Sequence, residues 1–227
     1  AWAMKDKPTI WATPNKRSMT VCGALHRATG FDLRMAWDFP TTETPPSIVY
    51  GVLRGCGEII RRCKSAGVDY WHIDNGYLKA GHYDGYYRIT KNALYVTYDP
   101  RCNAPGKRLA ELGLTVAPWG GRGAQILAVP PTGNVCAYRG MSVGNWETGI
   151  MDACKSKGYQ LKLRLKGDAV PLDADLRNSW RVVTYNSNVA VDALLAGVPA
   201  FANEGPVAGF CGTSWARPEL AAREQLF

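Results

Sequence analysis

The chain has 227 residues, 46% of them hydrophobic and 20% charged, and a net charge of +8. That balance excludes an intrinsically disordered chain, and no apolar run approaches the roughly 20 residues of a membrane helix. Basic residues spread along the chain favour an acidic partner: phosphate groups, nucleic acid or an anionic surface.

Seven cysteines, at 22, 56, 63, 102, 136, 154 and 211, include no Cys-x-x-Cys pair. Neither a zinc ribbon nor a redox motif is indicated, no metal site is expected, and reduced thiols in a cytoplasm fit best. The opening residues, Ala1 to Arg17, lack the apolar core of a secretory signal.

The first predicted element is a strand over Pro8–Ala12, followed by a turn ending in a cap at Ser18 and a short helix closed by Gly30. Phe31–Trp37 reads as a second strand, and Asp38–Ser47, with Pro40, Pro45 and Pro46, as a loop. Ile48–Leu53 is a buried strand. Arg54-Gly55-Cys56-Gly57 then turns into a helix stopped by Gly67. It lacks the third glycine and the downstream acid of a dinucleotide fingerprint. With Val68–Ile73 as the next strand, strand and helix alternate as in a parallel sheet.

Asp74–Arg88, DNGYLKAGHYDGYYR, reads as a loop rich in Gly, Tyr, His and Asp directly after a buried strand. Parallel α/β folds place their chemistry in such loops. His72, Asp74 and His82 are the candidate general bases, able to take a proton from an attacking hydroxyl. The alternative is a turn at Asp74-Asn75 with the tyrosines packing the loop. The longer run YWHIDNGYLKAGHYDGYYRITKNAL resembles a phrase found in glycosyltransferase-like proteins of phages and bacteria.

Asp99–Arg108 reads as a linker between two lobes, residues 1–98 and 107–227. Ala124–Val129 opens the second lobe as a strand, and a helix from Val143 to Lys157 ends at Gly158. Tyr159–Leu165 is the next strand, with Leu161, Leu163 and Leu165 on one face and Lys162 and Arg164 on the other. Asp173–Asn178 is a polar or helical link. The run from Asn203 to Glu219 is a glycine-rich loop, and PELAAREQLF a final short helix in which the chain stops.

The stretch from Val182 to Ala202, VVTYNSNVAVDALLAGVPAFA, reads as strand, polar turn, buried helix of about two turns and strand. Ser187 or Asn188 suits the helix cap, Gly197 the stop, and Pro199 cannot continue the helix. A helix start after a strand seats phosphate readily, although a cap that is only structural reads the same way. The run Asn186-Ser187-Asn188-Val189-Ala190-Val191-Asp192-Ala193-Leu194-Leu195-Ala196-Gly197-Val198-Pro199 resembles the nucleotide-sugar-binding half of GT-B glycosyltransferases, capsule transferases and nucleotide-sugar 2-epimerases.

That resemblance implies an α/β fold of two small Rossmann-like lobes, parallel sheets flanked by helices, with an acceptor lobe first and a donor lobe second. It implies a metal-independent glycosyltransferase that needs no cofactor and takes a nucleotide-sugar as co-substrate. Thr132, Gly133 and Asn134 would face the donor. Arg164 and Lys166 would bind its phosphates and stabilise the leaving diphosphate. Asn186, Ser187 and Asn188 would seat it, and Asp192 would stand where the family has a ribose-binding glutamate. A solvated strand face is the other reading of Arg164. Short length, charge and the phage-like run make a hydroxymethylated pyrimidine in duplex phage DNA the expected acceptor, in a host cytoplasm, with a saccharide next. The alternatives are a non-catalytic module that binds nucleotide or DNA, and a 2-epimerase, against which the few acids argue.

Overall fold

A computed structural model of the chain describes residues 7–78, 85–95, 107–120, 123–205 and 207–208. The chain divides into two units, residues 1–94 and 95–227. His82, most of the expected linker, and nearly all of the expected glycine-rich loop and final helix lie outside the described residues.

The first unit runs β1 (Thr9–Ala12), α1 (Lys16–Thr29), β2 (Leu33–Met35), β3 (Ser47–Tyr50), α2 (Cys56–Ala66), β4 (Tyr70–Asn75) and β5 (Tyr87–Lys91). Its sheet has the order β2-β1-β3-β4-β5, with every pair parallel except β4 and β5. One face buries Ile10, Ala12, Ile48, Trp71 and Ile73 with Cys22 of α1. On β1, Trp11 alternates with that set, and its indole N–H donates to the Ser47 hydroxyl at 3.0 Å. The proline-rich loop before β3 is held by Arg62, which donates to the carbonyls of Pro40, Thr41 and Glu43.

Two expectations change here. The cap of α1 is Asn15, whose extended backbone lets its side chain accept from Ser18 N–H at 2.9 Å. Ser18 is buried one turn in, its hydroxyl accepting from Thr13 N–H. And the segment expected as a loop from Asp74 begins and ends in strand. β5 returns antiparallel and pairs Asp74 with Arg88 and Asn75 with Tyr87, so β4 continues through both residues.

The second unit contains α3 (Lys107–Leu112), β6 (Gln125–Val129), α4 (Gly133–Arg139), α5 (Val143–Ser156), β7 (Gln160–Leu163), α6 (Leu172–Arg177), β8 (Ser179–Thr184), α7 (Val189–Leu195) and β9 (Ala200–Ala202). Its sheet is wholly parallel, in the order β7-β6-β8-β9. Ile126 and Val183 pack with Cys154 of α5 and, around them, Trp146, Ile150, Leu161 and Phe201. The α7 helix packs on β8 and β9 and buries Ala190, Val191, Ala193 and Leu194. The fold class is the expected one, two α/β units with parallel sheets flanked by helices. The antiparallel strand β5 was not expected.

Gly197, after α7, has φ +74, and a Cβ there would overlap the carbonyl oxygen of Pro118. Gly140, after α4, has φ +65 but open space around it. Gly140→Ala is therefore expected to lose about 1–2 kcal/mol, the left-handed backbone penalty alone. Gly197→Ala must also move backbone and is expected to lose about 3 kcal/mol. Urea unfolding of the two variants tests the difference; equal losses would contradict the close approach.

Candidate functional site

In the second unit β6 comes first, with β7 added on one side and β8 on the other. The connections after β6 and β8 therefore leave in opposite directions and open a crevice at the carboxyl ends of those strands, where doubly wound sheets bind ligands. Thr184 closes the floor of this switch point. It is buried, its hydroxyl donates to the Val129 carbonyl at 2.7 Å, and it accepts from Ser187 N–H at 3.1 Å.

The loop after β6 carries Thr132, Gly133 and Asn134. They lie at the start of α4, a helix not among the expected elements. The Thr132 side chain caps it, accepting from Val135 N–H, and the space beside Gly133 is open. The loop after β8 carries Asn186, Ser187 and Asn188. Ser187 Oγ accepts from Val189 N–H at 3.2 Å, whereas Asn188 has helical backbone angles and makes no side-chain cap. Asn186 donates its amide to the Tyr95 hydroxyl at 2.7 Å. These six residues thus occupy the two loops that flank one switch point.

Residues not singled out from sequence brace the same edge. Glu204, just beyond β9, accepts from the Tyr185 hydroxyl at 2.9 Å and from Arg139 at 2.8 Å. Burial, and then Glu204 as acceptor and neighbouring charge, push the Tyr185 phenol up to about 12, so it stays a neutral donor. Asn203 accepts from the Trp146 indole. The only sequence signal for Glu204 was its place directly after a strand.

Arg164 and Lys166 behave differently from each other. Arg164 donates to Asp175 at 2.5 Å and to the Val170 carbonyl at 2.8 Å, and Lys162 donates to the other oxygen of Asp175 at 2.5 Å. Lys162 on β7 and Arg164 just past it are thus held by a carboxylate rather than forming a solvated face. Asp175 is 2% exposed; burial opposes its charge, but the two cations outweigh burial and hold its carboxyl below the usual range. Lys166 is exposed in the turn that follows.

The base candidates in the first unit are equally distinct. His72 lies inside β4, 2% exposed, with Nδ1 3.2 Å from the Leu94 carbonyl and Nε2 without a partner among the described residues. Burial pushes it down to about 4, against the opposing pull of Asp74, so it is neutral and enclosed rather than poised in a loop. Asp74 is 40% exposed; one oxygen accepts from Arg88 at 2.9 Å and the other from Asn75 N–H at 2.8 Å. Among the described residues no three His, Cys, Asp or Glu side chains could hold a metal ion, and no helix is long and apolar enough to cross a membrane.

Asp192 sits in the first turn of α7, and burial alone pushes its carboxyl up to about 6. A folded-state value above the unfolded one disfavours the charged form, so stability falls as pH rises through the carboxylate range to about 6. Asp192→Asn is expected to raise stability at pH 7.5 by about 1–2 kcal/mol, with the gain vanishing near pH 4. His72 acts the opposite way, losing stability on acidification, but it is common to both proteins and cancels in the difference. Thermal unfolding of wild type and variant across pH tests this; a gain independent of pH would refute it.

No family model and no curated protein matches the chain. Among solved structures it is similar to Thermosulfurimonas dismutans KpsC, a beta Kdo 2,4 transferase, with a TM-score of 0.55 over 96% of this chain and 88% of that one, at 9% identity. At that identity the likeness concerns the fold.

Proposed function

We propose that the chain is a glycosyltransferase that moves a sugar from a nucleotide-sugar to an acceptor hydroxyl. The observation that carries this reading is the placement of Thr132, Gly133, Asn134, Asn186, Ser187 and Asn188 on the two loops flanking the second unit's switch point, with Thr184 tying β8 to β6 beneath them. The fold shared with a Kdo transferase supports the reaction class.

In this reading the open backbone at Gly133 and the polar turn at 186–188 receive the donor's phosphates, and Thr132 offers a hydroxyl. Lys166 supplies a mobile positive charge, while Arg164, held by Asp175, shapes the loop that carries Lys166. Asp192 accepts a hydroxyl of the donor's sugar or ribose. Asp74, the exposed candidate in the first unit, takes the acceptor proton as the hydroxyl attacks the anomeric carbon and the nucleotide departs. A hydroxymethylated pyrimidine in duplex DNA and a saccharide hydroxyl are the two acceptor classes, and the net charge of +8 favours the polyanion. A second reading, nucleotide binding without turnover, is favoured by one feature: both oxygens of Asp74 are already engaged.

The test is a thermal-shift screen against UDP, GDP, ADP, CMP and their sugars, on wild type, Gly133→Val and Ser187→Ala. One nucleotide is expected to raise the melting temperature of wild type, by up to about 2.7 kcal/mol of linked stability at a hundredfold excess over Kd, and to act less on both variants. No shift with any nucleotide would sink both readings. With the donor class known, Asp74→Asn separates them: a fall in turnover of about 100-fold or more with binding intact supports the transferase. A nucleotide that binds wild type but is never turned over supports the module.

A further inference from the structure

The first unit has a switch point of its own. β1 is its first strand, with β2 on one side and β3 on the other, so the connections after β1 and β3 part company at their carboxyl ends. The two connections, Thr13 to Arg17 and Gly51 to Gly55, contain three cations and no acid.

Arg17 lies over this edge, half-buried, and donates to the Asn75 side-chain oxygen at 3.3 Å. It makes no ion pair among the described residues, whereas Arg88, on the same sheet, is paired with Asp74. Tyr50 ends β3 beside Arg17: burial pushes its phenol up, the arginine at its hydroxyl pulls it back, and Asp74, itself paired with Arg88, adds a smaller upward push with Tyr87. A phenol that accepts from an arginine still has its own proton to donate. The Asn75 amide nitrogen likewise has no partner among the described residues.

The second connection adds an arginine in a costly conformation. Arg54 has φ +51, between Gly51 at φ +68 and Gly55 at φ +95. A left-handed backbone disfavours any residue with a Cβ, and such outliers gather at ligand clamps. Arg54 is exposed and unpaired among the described residues. Asp38, after β2, makes no ion pair with either arginine there.

We infer that this edge of the first unit is an oxyanion site, formed by Arg17 and Arg54 from the two connections with Tyr50 and Asn75 as neutral donors. Its ligand is a carboxylate or phosphate group, and it makes the acceptor an acidic molecule; that last step rests on the transferase reading. Arginine forks carried on both connections, one of them on a tyrosine and an amide, suit a bidentate oxyanion better than a neutral hydroxyl.

The experiment is calorimetric titration of the full chain, without nucleotide, with inorganic phosphate, with glucuronate and with glucose as the neutral control. Wild type is expected to bind at least one of the anions saturably and glucose not at all. Arg17→Gln is expected to weaken that binding at least tenfold. Arg54→Gly is expected to weaken it likewise while raising the melting temperature, because glycine relieves the backbone. Arg27→Gln, which removes the same charge from the far end of α1, is expected to bind as wild type. Binding of phosphate alone or glucuronate alone identifies the group the site takes. No saturable binding by wild type, or binding unchanged in both Arg17→Gln and Arg54→Gly, would overturn the site. Because nucleotide is absent, the result is independent of whether the second unit binds a donor.

Discussion

The hydroxyl of Thr184 is the point on which the second unit's ligand edge depends. It is buried at the end of β8, bonded to the last carbonyl of β6 and to the N–H of Ser187. With no side chain there able to donate, the half-buried Val129 carbonyl would lose this partner and the turn after β8 its anchor. Each parallel strand ends where its neighbour ends, and the two polar turns are delivered to the same edge. Position in the sheet, rather than the chemistry of any one residue, brings five small polar side chains and the open backbone of Gly133 to one edge.

A second constraint fixes the side of that edge nearest β7. Asp175 draws Lys162 of β7 and Arg164, the residue after it, onto α6, so that one buried carboxylate is shared by two cations. Removing one member would strand the others, so the cluster reads as a clamp on the β7 end and the turn after it. Across the sheet, Glu204 performs the corresponding task for the turn after β8 by holding Tyr185 and Arg139. The edge is thus pinned at both flanks, with the less tightly held groups between them.

Helices and strands with strong local signals were legible in the sequence. The apolar run before Gly197 and Pro199 marked α7 and its end, and Gly158 marked the end of α5 to within two residues. Elements defined by a partner elsewhere were not legible. β5 is short and edge-placed, and its pairing with β4 draws Asp74 out of a loop. α4 begins at a glycine, which argues for a turn until the Thr132 cap is seen. The fate of Arg164 turned on Asp175, eleven residues away, a tertiary contact with no local periodicity to announce it. The positions of Asn186, Ser187 and Asn188 after β8 and of Thr132, Gly133 and Asn134 after β6 were legible, the first set from a motif and the second from its place after an apolar strand. Arg17, in the first turn of α1, and Arg54, in a turn, carried no spacing signal.

The contrast between satisfied and unsatisfied groups decides which charges are available to a ligand. Arg164, Arg88 and Arg139 each have a carboxylate within 2.9 Å, and a phosphate would have to displace that partner in a partly dry site. Asp192 instead is carried at a cost by burial, and Arg54 by its backbone. Folding alone gains nothing from either: a serine or asparagine at 192 and a glycine at 54 would be the more stable choices. Groups retained against local energetics are where a protein keeps interactions for something other than itself. Such groups lie on both units, among them an acid on α7 and a cation at the edge of the first sheet, and their opposite charges suit chemically different ligands.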